Sequence, residues 1–151
     1  GEIAMPGKLR DIIEEKGDEV HSIEPTAAIA EAVDVMNELG VGALLVLNAE
    51  QLVGIITERD LLRRVMGKRL DPTVTQVADV MTRDLAVIKP GVDIEDAMAV
   101  VTEKRVRHLP VLEDGKLLGI VSAGDLTRWV SRDRDVEIQQ LVNFITGKYP
   151  S

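Results

Sequence analysis

Leu52-Val53-Gly54-Ile55-Ile56-Thr57-Glu58-Arg59-Asp60-Leu61 and Leu117-Leu118-Gly119-Ile120-Val121-Ser122-Ala123-Gly124-Asp125-Leu126 are two versions of one pattern in a single chain. Each is an apolar run ending in a hydroxyl residue, followed three places on by an aspartate and then by a new apolar pattern. That order predicts a buried strand running into a helix, with Thr57 or Ser122 at the N-cap and Asp60 or Asp125 at N3. The side chains then stand where a helix presents unpaired N–H groups and partial positive charge, a place suited to an anion.

Working outward, a shift of 65 residues aligns Ser22–Met66 with Val87–Ser131 without a gap, and 17 of the 45 pairs are identical. Chance does not readily give this, so the chain is a duplication. Upstream, Leu9-Arg10-Asp11-Ile12-Ile13 echoes Val77-Ala78-Asp79-Val80-Met81, with three more residues before the matching strand in the first copy. Within each copy Ile23 or Ile88 lies in a short β-prone run closed by Pro25 or Pro90. Ile29, Ala32, Val33, Met36 and Leu39 then fall at helical spacing, as do Ile94, Ala97, Met98 and Val101. Two apolar runs follow, Ala43–Leu47 and Leu52–Ile56, or His108–Leu112 and Lys116–Val121, each pair reading as a hairpin. A helix follows each aspartate. The unit is β-α-β-β-α, with Arg69-Leu70-Asp71-Pro72-Thr73 between units and a last amphipathic helix carrying Ile138, Leu141, Val142 and Ile145.

Composition narrows the function. The 151 residues carry a formal charge of -8, and aromatics make up 2%. Broad contact with phosphate backbones or anionic membranes is opposed by that charge, and base-stacking platforms are nearly absent. Without cysteine there is no disulfide, thiolate metal site or cysteine nucleophile. Only His21 and His108 are available as imidazoles, with no metal-spaced cluster and no nucleophile–base motif, so no enzyme is expected. Aliphatic stretches are far shorter than the roughly 20 residues a span needs, and no secretory signal is legible, so the expected compartment is the cytoplasm.

A duplicated β-α-β-β-α unit closing on Gly, two aliphatics, Thr or Ser, two variable residues and Asp resembles the CBS domain pair, or Bateman module. The resemblance covers roughly Lys8 to Ser131 and includes Val80-Met81-Thr82, a segment that often opens a second unit. It implies an α/β (α+β) fold, two CBS repeats packed about a pseudo-twofold axis, with a first repeat over 8–68, a linker over 69–76, a second repeat over 77–131 and a C-terminal helix and tail over 132–151. It also implies a regulatory module that takes AMP, ADP, ATP, NAD or S-adenosylmethionine between its repeats, needs no metal and signals in trans to a protein partner. The alternative is a structural or dimerising CBS module with no physiological ligand.

Carried over by position, Asp60 and Asp125 match the carboxylate that holds the ribose hydroxyls, and Thr57 and Ser122 the hydroxyl beside it. Gly54 and Gly119 allow close backbone approach. Val87 and Ile88, with Ile23 in the first copy, match the strand flanking the adenine, and Arg107 and His108 match basic residues that meet phosphate. Copy one has Gly42 and Ala43 where copy two has Arg107 and His108, but it has Arg59 where copy two has Gly124. The second half-site is therefore expected to be the better one, and three alternatives stay open for the first: it is empty, it takes a different nucleotide, or it borrows Arg59 for phosphate. A plainer reading makes Thr57-x-x-Asp60 and Ser122-x-x-Asp125 capping boxes that only satisfy the first helical turn. Leu61, Leu62, Val65 and Met66, with Leu126, Trp129 and Val130, exceed what one small sheet should cover, which predicts a homodimer.

Overall fold

The structure is a computed structural model and describes residues 7–17, 20–131, 142 and 144–146. Most of the expected C-terminal helix lies outside the described residues. In order, the chain forms α1 (Leu9–Lys16), β1 (Ser22–Ile23), α2 (Ile29–Leu39), β2 (Ala43–Asn48), β3 (Gln51–Thr57), α3 (Glu58–Asp60), α4 (Val77–Val80), α5 (Ile94–Lys104), β4 (His108–Glu113), β5 (Lys116–Ser122) and α6 (Ala123–Val130). Among the described residues no helix is long and apolar enough to cross a membrane.

The two hairpins are copies down to their irregularities. β2 pairs antiparallel with β3 and β4 with β5, and each pair shifts register once, at Val46/Leu47 and at Val111/Leu112. The turn of the second uses Asp114 and Gly115 at positive φ, where side chains other than Gly, Asn and Asp are disfavoured. The first makes the same turn with Ala49 and Glu50, at φ 49 and 73. β1 adds a parallel strand to the first hairpin. Its counterpart shrinks to Ile88, which donates to Pro110 O at 3.0 Å and accepts from Leu112 N at 2.9 Å.

Each repeat has its own aliphatic core. Ile29, Leu44, Val46 and Ile56 fill the first, and Ile94, Leu109, Val111, Val121 and Leu126 the second. Burying each such side chain contributes about 1.5–3 kcal/mol. The short helices complete these cores crosswise. Leu9 and Ile12 of α1 sit in the second core, whereas Val77, Val80 and Met81, on and just after α4, sit in the first. Backbone bonds fix the exchange: Leu9 N to Val92 O, Arg10 N to Pro90 O, Val77 N to Ala27 O and Ala78 N to Pro25 O, all 2.8–3.0 Å. The segment read as a linker is tied in too, since Ala30 N donates to Pro72 O and Ile29 N to Thr75 O.

The helices after the two aspartates differ. α6 is a regular α-helix, but α3 passes directly into a π-helical segment, Leu61–Met66, whose wider turn is closed by Gly67 N on Leu62 O at 2.9 Å. Val65 is buried and Leu61 packs on the first core, leaving Leu62 and Met66 66% and 70% exposed. Leu126 is buried and Trp129 packs on the second core.

Candidate functional site

β3 and β5 end in the hydroxyl residues foreseen, and both capping boxes form. Asp60 N donates to Thr57 Oγ1 at 3.2 Å while Thr57 N donates to Asp60 Oδ2 at 3.0 Å. Asp125 N donates to Ser122 Oγ at 3.0 Å and Ser122 N to Asp125 Oδ2 at 2.8 Å. Backbone bonds from Glu58 N to Gly42 O and from Ala123 N to Arg107 O hold the two strand–helix junctions alike.

Beyond the caps the aspartates differ. Asp60 is buried, and its other oxygen, Oδ1, accepts from the Thr82 hydroxyl at 3.0 Å, with Arg64 Nε 3.6 Å away. Asp125 is held by two cations: Lys16 Nζ lies 2.7 Å from Oδ2 and an Arg128 nitrogen 2.6 Å from Oδ1. Burial raises the Asp125 pKa, but the bonds from Lys16 and Ser122 together outweigh it and leave the carboxyl below its ordinary range.

A cavity of about 540 Å³ opens where the repeats meet. Its lining includes Thr57, Glu58, Arg59 and Asp60 of the first repeat, Thr82 and Asp84–Ala86 after α4, and Arg105, Arg107 and His108 of the second repeat. Three arginines and three carboxylates thus share the lining with a half-buried imidazole. Burial pushes His108 below its ordinary value, with Lys16 and Arg107 adding to that and Asp125 and Glu58 opposing it. Arg105 holds a left-handed conformation, φ 54, at the C-cap of α5, where the first repeat uses Gly40 at φ 67.

A CBS domain family model matches residues 9–67 and again residues 77–132. The chain belongs to the CBS domain family. Among its relatives, a mitochondrial CBS domain-containing protein of Arabidopsis thaliana is 37% identical over 126 residues, covering 80% of this chain and 61% of the relative. The chain therefore spans less than two thirds of that protein. A CBS domain-containing protein of Bacillus subtilis is 33% identical over 72% of this chain and 76% of its own length. Among solved structures, a protein with CBS domains from Burkholderia ambifaria superposes with a TM-score of 0.81 at 34% identity, covering 85% of this chain and 96% of that one. The inosine-5'-monophosphate dehydrogenase of Nitrosopumilus maritimus matches over only 26% of its length, so the likeness gives this CBS pair no catalytic domain.

The CBS pair gathers only some of the expected site residues. Thr57, Arg59, Asp60, Arg107 and His108 line the one cavity, so the basic residues of the second repeat stand with the aspartate of the first. Ser122 and Asp125 form the separate cluster with Lys16 and Arg128; His108, opposite Ser122 in the β4–β5 register, stands between the two. Ile23 and Ile88 are core residues, and Val87 and Ile88 border a different hollow with Lys89 and Val92. Gly54 and Gly119 are seats for the exchanged helices: a Cβ would stand 2.7 Å from Met81 Sδ at Gly54 and 2.8 Å from Ile13 Cδ1 at Gly119. Thr82, Glu58, Asp84 and Arg105 were not singled out from the sequence. Thr82 had a signal, as the residue after Met81 in the recognisable opening of the second repeat.

Proposed function

We propose that this CBS pair binds an adenosine nucleotide, of the AMP, ADP, ATP or NAD class or S-adenosylmethionine, in the cavity between its repeats, and that occupancy is signalled to a protein partner in trans. The observation that carries the reading is one nucleotide-sized cavity lined by Asp60 of the first repeat together with Arg105, Arg107 and His108 of the second. A buried carboxylate bonded to neutral hydroxyls can exchange them for a ribose diol, while arginines lining the same cavity suit phosphate. Weight moves from Asp125 to Asp60, the reverse of the ranking drawn from sequence, because the second carboxylate is already held by cations.

The completed capping boxes favour a second reading, a dimerising module without ligand. A thermal-shift screen with AMP, ATP, NAD and S-adenosylmethionine separates the two. A ligand at 100 times its dissociation constant adds about 2.7 kcal/mol of stability, which is easily read as a raised Tm. No shift with any of the four would leave the dimerising module.

A further inference from the structure

Among the described residues, Thr82 in the first half-site has no residue of its kind in the second. It donates its backbone N–H to Ile55 O at 2.8 Å and its hydroxyl to Asp60 Oδ1 at 3.0 Å. The counterparts of Ile55 and Asp60 are Ile120 and Asp125, and one group serves both: Lys16 Nζ donates to Ile120 O at 2.9 Å and to Asp125 Oδ2 at 2.7 Å. Helix length explains the substitution. α4 ends at Val80 and the chain turns extended through Thr82, whereas α1 continues as helix to Lys16. Arg128 reinforces the difference, since its guanidinium would stand 3.2 Å from a Cβ at Gly124, the position that Arg59 occupies in the first copy.

We propose that Lys16 closes the second half-site to ribose, so that each chain takes one adenosine nucleotide, in the Asp60 cavity. This rests on the function proposed for that cavity. A carboxylate offers about four acceptor positions, and a cis-diol needs two. At Asp125 three positions are filled by the N–H donors of Ser122, Lys16 and Arg128, two of them charged. At Asp60, two of the three hydrogen-bond donors are the Thr57 and Thr82 hydroxyls, which can rotate aside, and the Arg64 guanidinium stands off at 3.6 Å instead of closing to hydrogen-bond distance. Charge-assisted bonds are roughly twice as strong as neutral ones.

Calorimetric titration of AMP into the full chain tests this. The wild type should take one AMP per chain, Lys16→Met and Lys16→Thr two, and Lys16→Arg, which keeps the cation, one. With Asp60→Ala the wild-type site should weaken at least roughly tenfold, while the Lys16→Met, Asp60→Ala double variant keeps one site. Two sites in the wild type, or no second site in either the Met or the Thr variant, would overturn the proposal. If the wild type took no AMP and Lys16→Met took one, the closure would stand and the reading of the Asp60 cavity would fall.

Discussion

Arg105 adopts a conformation that costs a non-glycine residue about 1–2 kcal/mol, at a position where the other repeat has glycine. Arg105 lines the cavity, so the strained position is one that the proposed function would use against phosphate. Arg105→Gly should therefore leave urea stability equal or up to about 1 kcal/mol higher, while AMP affinity falls severalfold and adenosine affinity holds. Equal loss of both ligands would remove Arg105 from phosphate contact. His108 makes a pH prediction. Its folded pKa lies below the unfolded 6.5, so its contribution to stability is complete above that value and is lost as pH falls toward the lower folded one. Bound phosphate favours the imidazolium, so AMP binding should take up a proton and weaken as pH rises above the folded value. Titrations in two buffers of different ionisation enthalpy measure that proton, and His108→Ala should abolish it.

Among the elements, the hairpins, α2, α5 and the capping boxes were legible in the sequence because each rests on local periodicity and on residues three or four apart. The crosswise exchange of α1 and α4 was not. Leu9, Ile12, Val77 and Val80 mark amphipathic helices, but an apolar face does not say which of two similar cores it enters. For the same reason Lys16 was invisible as Asp125's partner, 109 residues away; the three-residue surplus after α1 hinted only that the two exchanged segments differ. The exchange makes the glycines unequal. A methyl at Gly54 meets the Thr82 carbonyl at 2.9 Å as well as Met81, while at Gly119 the first obstacle is the movable tip of Ile13. Gly54→Ala should cost about 1–3 kcal/mol and Gly119→Ala less, as read from urea midpoints. An equal cost at both sites would show that α1 is seated as rigidly as α4.

At the scale of the molecule, the apolar surplus read from sequence contracts once the cores are seen. Val65, Leu126, Leu61 and Trp129 turn inward, and Leu62 and Met66 on the π-helical segment, with Val130, remain outside. Self-association through Leu62 and Met66 predicts a dimer in sedimentation, shifted to monomer by Leu62→Glu with Met66→Glu; a wild-type monomer at all concentrations would remove it. The repeat and family were readable because duplication is written in one dimension, but the cavity joins Asp60 of one repeat to Arg107 and His108 of the other, a pairing made only by folding. That pairing is the central claim, and it is tested most directly by titrating AMP into the wild type and into Asp60→Asn, which keeps the side chain's size but loses the carboxylate. The account predicts saturable binding to the wild type, weakened at least about tenfold by the substitution. Unchanged affinity in Asp60→Asn would contradict it.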